Sequence, residues 1–139
     1  MREILALKLL DAMHVWTGDV GSVKFDYFQT RNLILAADHS RALAGERANE
    51  KTPLVFIHSH PPDVDGLSAD DRETMIGLRY GLDRDFAFIL VTNTIALHYE
   101  VLWRNKTVII NACGEVKHGR YQQEIEEVRR LSCYDMSIG

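Results

Sequence analysis

Two histidines, a serine and an aspartate lie within 14 residues of this chain, in the order His58-Ser59-His60-Pro61, then Ser68, then Asp71. Imidazole nitrogen and carboxylate oxygen bind zinc at about 2.0–2.2 Å, and catalytic zinc sites use three protein ligands so that water can take the fourth position. His58, His60 and Asp71 meet that count, and Ser68 adds a hydroxyl. The chemistry of such a site is hydrolysis, because zinc lowers the pKa of its water to about 7 and polarises a carbonyl. The elements around these residues must aim them at one point. Leu54-Val55-Phe56-Ile57 is apolar, β-prone and bounded by Pro53, which predicts a buried strand ending on the histidines. Side chains two apart on a strand point the same way, so both imidazoles share a face. Pro61 and Pro62 end ladder hydrogen bonding, and Asp63-Val64-Asp65-Gly66 has loop chemistry. Ser68 then heads an amphipathic helix with Met75, Leu78 and Leu82 on one face, which puts Asp71 in its first turn.

Each part of this pattern has a blander account. Ser-x-x-Asp at a helix start is also an N-cap followed by an acidic residue that suits the helix dipole. With six histidines in 139 residues, a His-x-His pair also fits two hydrogen-bonded polar groups at a strand end. The conjunction of strand, paired histidines, proline loop, serine and aspartate in that order favours a metal site.

The string resembles that of the JAMM (MPN-plus, Prok-JAB) zinc metalloproteases: a distant glutamate, then His-x-His-Pro, then Ser-x-x-Asp. Pro61 is followed by the seven residues from Pro62 to Ser68, serine included, and then Asp71, as in that family. The family's general-base glutamate lies on a strand patterned Glu-x-x-small-Leu-x-apolar. Glu3-Ile4-Leu5-Ala6-Leu7-Lys8-Leu9 fits it, 55 residues before His58, with Ala6 standing where the family usually has glycine. Rival glutamates Glu46 and Glu50 sit in a polar stretch, Gly45 to Thr52, too near the histidines for the pattern.

The resemblance implies His58, His60 and Asp71 as Zn2+ ligands, Glu3 as general base and later acid, and Ser68 as donor to the developing oxyanion. One such donor contributes on the order of 3–4 kcal/mol in comparable sites. It also implies a metallopeptidase or isopeptidase, deubiquitinase-like, cutting after the C-terminal glycine of a ubiquitin-like or sulfur-carrier protein. The short Pro62 to Leu67 loop is similar to that of compact prokaryotic members, and the glycine-ended tail is expected to bind as an added strand. The alternative is a non-catalytic MPN-type scaffold, although scaffold members typically lose the ligands that are intact here. An amidohydrolase barrel with a His-x-His strand needs about 200 or more residues, more than this chain has.

At 139 residues, 46% apolar and 26% charged, the sequence fits one domain, 1–139, with a sizeable core. A net charge of −4 without a Lys/Arg cluster disfavours nucleic acid and anionic membranes as partners. Phe86 to Val91, the longest apolar run, is far too short to span a bilayer, and Glu3, Lys8 and Asp11 break any signal-like segment. The expected location is cytoplasmic. Cys113 and Cys133 make no disulfide framework and no zinc knuckle, and are expected to be reduced, with one or both buried. A Cys/His nucleophile pair using His98 or His118 has no motif behind it. His14, His39, His98 and His118 lack partners at ligand spacing and read as surface or hydrogen-bonded residues.

Leu5 to Trp16 and Ser22 to Thr30 read as strands turned by Thr17-Gly18-Asp19-Val20-Gly21. Ile4 to Met13 suits a helix equally on propensity, and the resemblance decides for strand. Asn32 to Ala44 is mixed. Strands are expected at Phe86 to Thr92, Ile95 to Trp103 and Thr107 to Asn111, with turns at Asn93-Thr94 and Arg104-Asn105-Lys106. A last helix, His118 to Leu131, has Tyr121, Ile125 and Val128 on one face and Glu126 four before Arg130. This is an α/β fold with a curved mixed β-sheet flanked by helices, and the resemblance implies MPN/JAMM-like, cytidine-deaminase-like layering. Family members have a helix ahead of the glutamate, where this sequence has Met1 and Arg2. An apolar face of the first strand left bare would drive self-association, so a homo-oligomer is expected.

Overall fold

A computed structural model of the chain describes residues 2–9, 12–19, 54–60, 66–82, 84–117 and 119–134. The expected strand at Ser22 to Thr30, the Asn32 to Ala44 stretch, the loop holding Glu46 and Glu50, and most of the proline loop lie outside these residues. Among the described residues, six strands form one sheet: β1 (Arg2–Leu9), β2 (Ala12–Asp19), β3 (Leu54–Ser59), β4 (Phe86–Val91), β5 (Ala96–Arg104) and β6 (Thr107–Glu115). Their order is β2-β1-β3-β4-β5-β6. β3 and β4 are parallel and every other pair is antiparallel, so the sheet is mixed. Helix α1 (Ala69–Leu82) connects the parallel pair, and α2 (Gln122–Ser132) follows β6.

All six residues of β3 are buried, as a central strand covered on both faces requires. One face packs Leu5, Leu7, Phe56 and Phe88 against Met75, Leu78 and Leu82 of α1, the three positions expected to face inward. The other packs Ile4, Ala6, Ile57, Ile89 and Val91 against Ile125 and Val128 of α2. The apolar residues of β1 are not left bare: Ile4, Leu5, Ala6 and Leu7 are all fully buried, with α2 over Ile4 and Ala6 and α1 over Leu5 and Leu7.

Several boundaries also differ from expectation. Thr17, Gly18 and Asp19 belong to β2, and the Leu9 to Ala12 pairing leaves only residues 10 and 11 between the strands. β6 runs four residues beyond Asn111 because a bulge lets it pass Cys113 and Gly114. α2 starts at Gln122 rather than His118, since Gly119 at φ 81° and Tyr121 at φ 55° leave the right-handed helical path. On α2, Arg130 pairs with Glu127, and Glu126 is 3.5 Å from Arg129, so the expected Glu126 to Arg130 pair does not form.

Candidate metal centre

The site forms where β3 ends and α1 begins, at the carboxyl end of a parallel strand, a usual ligand position in α/β sheets. His58 lies on β3 and His60 just beyond it, anchored by its amide to the Val91 carbonyl at 2.8 Å. Asp71 occupies the first turn of α1, fixed by a reciprocal cap. The Asp71 amide donates to Ser68 Oγ at 3.1 Å, and the Ser68 amide donates to Asp71 Oδ2 at 3.1 Å. The capping account of Ser68 is thus realised alongside the site, as in a capping box. A hydroxyl that accepts from Asp71 keeps its own proton to donate.

His58 Nε2 is 3.4 Å from Asp71 Oδ1, and His60 Nε2 is 2.7 Å from Asp71 Oδ2. The ligand atoms of the three residues all lie within 4.8 Å of one another, and all three residues are buried. Two donors about 2.05 Å from a common tetrahedral centre stand roughly 3.3 Å apart. The His58 to Asp71 spacing matches that value, whereas the His60 to Asp71 spacing is that of a direct hydrogen bond. A shift of about half an ångström in the His60 ring would open it to ligand spacing.

The donor chemistry fits a cation. His58 Nδ1 donates to the Ile4 carbonyl at 2.9 Å, which fixes the tautomer and leaves the Nε2 lone pair toward Asp71. Burial pushes His58 down to about 4 against the pull of Asp71, with His60 adding to the depression, so the ring is neutral as a ligand must be. Asp71 stays below the usual carboxylate range: burial raises it, but the His60 hydrogen bond, both imidazoles and the Ser68 amide outweigh burial. His60 Nδ1 is buried without a partner among the described residues, so hydrogen bonding does not use all of this ring's capacity. The three residues can hold a metal ion.

Supporting contacts come from segments distant in sequence. Ile4 donates its amide to Ser59 Oγ at 2.8 Å and accepts from His58, so both polar groups of its peptide engage β3 side chains. Glu3 lies on β1 opposite Gly18 of β2. The β1–β3 pairing ends at Leu5 and His58, two residues after Glu3. The Tyr134 hydroxyl lies between the His60 and Val91 carbonyls, donating to His60 and standing 3.0 Å from Val91. Sequence reasoning missed Ile4, Ser59 and Tyr134 because their contributions are a backbone carbonyl, a hydroxyl facing the neighbouring strand, and a phenol 74 residues from its partner.

Other expectations are corrected. Both cysteines are free and exposed, neither one buried, because Cys113 sits on a bulged edge strand and Cys133 is the left-handed C-cap of α2. His98 does have company at ligand distance, in Glu100 and Cys113. His39 and His118 lie outside the described residues, and His14 of β2 pairs with Leu7 of β1. No described helix is long and apolar enough to cross a membrane. Comparison with protein-family models, curated proteins and solved structures gave no match.

Proposed function

We propose that the chain is a JAMM-like, MPN-fold zinc metallopeptidase acting on the bond after the C-terminal glycine of a ubiquitin-like or sulfur-carrier protein. The observation carrying this reading is the buried His58, His60 and Asp71 group, with His58 locked by the carbonyl of Ile4, the residue after Glu3. His58, His60 and Asp71 would hold the ion. Zinc supplies Lewis acidity there, polarising a carbonyl and making a water acidic enough to react near neutral pH. Glu3 takes the proton of the attacking water and returns it to the departing amine. Ser68, still capping α1 through its oxygen, donates its hydroxyl proton to the carbonyl oxygen as that atom gains charge. The protein works in the cytoplasm.

The glycine-ended tail would add as a strand at an edge near the site, since β3 itself pairs with β1 and β4. Among the described strands the free edges are β2 and β6.

The test is cleavage of a fusion in which a ubiquitin-like or sulfur-carrier protein ending in Gly-Gly precedes a reporter. Zinc-loaded protein is expected to cut after the final glycine, and chelation or Asp71→Asn to stop it. An intact fusion with fully loaded protein would replace the peptidase reading with a docking module.

A further inference from the structure

β5 and β6 meet across an interrupted register. Tyr99 pairs with Ala112 and His98 with Gly114, so Cys113 is the extra residue of a β-bulge. Gly114 takes φ 83°, a region glycine enters at no steric cost. Bulges re-aim side chains. Here the donor atoms of His98, Glu100 and Cys113 come within 4.8 Å of one another. The three line a cavity of about 240 Å³ whose walls include Ile89, Arg120 and Tyr121. His98 Nε2 is buried with no hydrogen-bond partner among the described residues, while Glu100 and Cys113 are open to solvent.

We propose that His98, Glu100 and Cys113 form a second metal site, for a borderline-soft divalent ion of the zinc type. One sulfur, one imidazole nitrogen and one carboxylate oxygen favour such an ion over magnesium or calcium, which take oxygen ligands. Three ligands leave a fourth position for water. His98 and Glu100 stand two apart on one strand, so they share a face, and the bulge brings the thiol to them from the next strand. Arg120 and Lys117 also line the cavity, where Glu100 and Glu115 offset their charge.

The site is independent of the centre at His58. His98 pairs with Ile89, which packs toward α2, whereas His58 continues the Phe56 face that packs toward α1. The two groups occupy opposite faces of the sheet, and loss of one leaves the other in place.

Cobalt(II) titration of the full chain carrying Cys133→Ser, where Cys113 is the remaining thiol, reads the site through thiolate-to-cobalt charge-transfer absorption. The expected result is one thiolate-ligated cobalt per chain, kept in Asp71→Asn and lost in Cys113→Ser without change in circular dichroism. Glu100→Gln should keep the band and weaken cobalt binding at least tenfold. No charge-transfer band in the Cys133→Ser protein, or the same band in a Cys113→Ser protein, would overturn the assignment. Failure of the His58 centre alone would appear as an unchanged band with one cobalt fewer.

Discussion

At residue scale, Ser68 has two separable jobs. Its oxygen caps α1, and replacing a serine cap by alanine costs about 0.5–2 kcal/mol, while glycine costs only a few tenths. Ser68→Ala should therefore lower stability by about 1 kcal/mol in urea titration, and Ser68→Gly should nearly preserve it. If the hydroxyl also serves the reaction, both variants lose about 10²–10³-fold in kcat. Unchanged kcat in Ser68→Gly would leave the residue a cap and nothing more. His58 makes a pH prediction for the chelated protein. Its folded value is about 4 against 6.5 when unfolded, so below pH 6.5 the unfolded chain gains a proton that the folded chain refuses. Stability is then full above 6.5, falls on the order of 3 kcal/mol as pH drops to 4, and levels off below. Asp71, also depressed, adds a further loss once pH falls below its unfolded value of 3.8. A urea midpoint that stays flat from pH 6.5 to 4 would contradict the buried neutral His58. These roles were legible because residue type and spacing carry them. Cys113 and His98 were not, since a bulge is needed to bring them together and nothing in the local sequence announces one.

At the scale of elements, the strand-loop-helix unit around His58, His60 and Asp71 could be read from its apolar run, its prolines and its cap. What covers β1 could not. α2 lies more than a hundred residues downstream, and its amphipathic pattern says which face is buried but not on which strand it rests. It is fastened to the sheet by Ile125 and Val128 in the core, by Arg129 donating to the Thr92 carbonyl at 2.9 Å, and by Lys8 paired with Glu124. The end of α2 also delivers Tyr134 to the His60 carbonyl. Ile125→Ala should cost about 2–5 kcal/mol by leaving a cavity against Ile4 and Ala6. Tyr134→Phe removes a hydroxyl from two buried carbonyls and should cost about 1–3 kcal/mol. It should also weaken zinc binding, because the His60 backbone keeps its amide bond to Val91 but loses the hydrogen bond to its carbonyl. Zinc affinity equal to wild type in Tyr134→Phe would show that α2 covers β1 without helping to set the metal ligands.

For the whole molecule, the sheet divides the chain into two half-cores with a donor cluster on each side. An ion that binds only the folded chain stabilises it by mass action, about 2.7 kcal/mol at a hundred times its dissociation constant. In a Cys113→Ser background, where the second cluster is disabled, zinc should raise the melting temperature by roughly 10 °C, and Asp71→Asn should erase the gain. The most direct measurement on the central claim is an anomalous difference map from crystals of the zinc-loaded protein, collected at the zinc absorption edge. A peak within bonding distance of His58, His60 and Asp71 together is the expected result. A direct His60 to Asp71 hydrogen bond with no peak between these three side chains would contradict it.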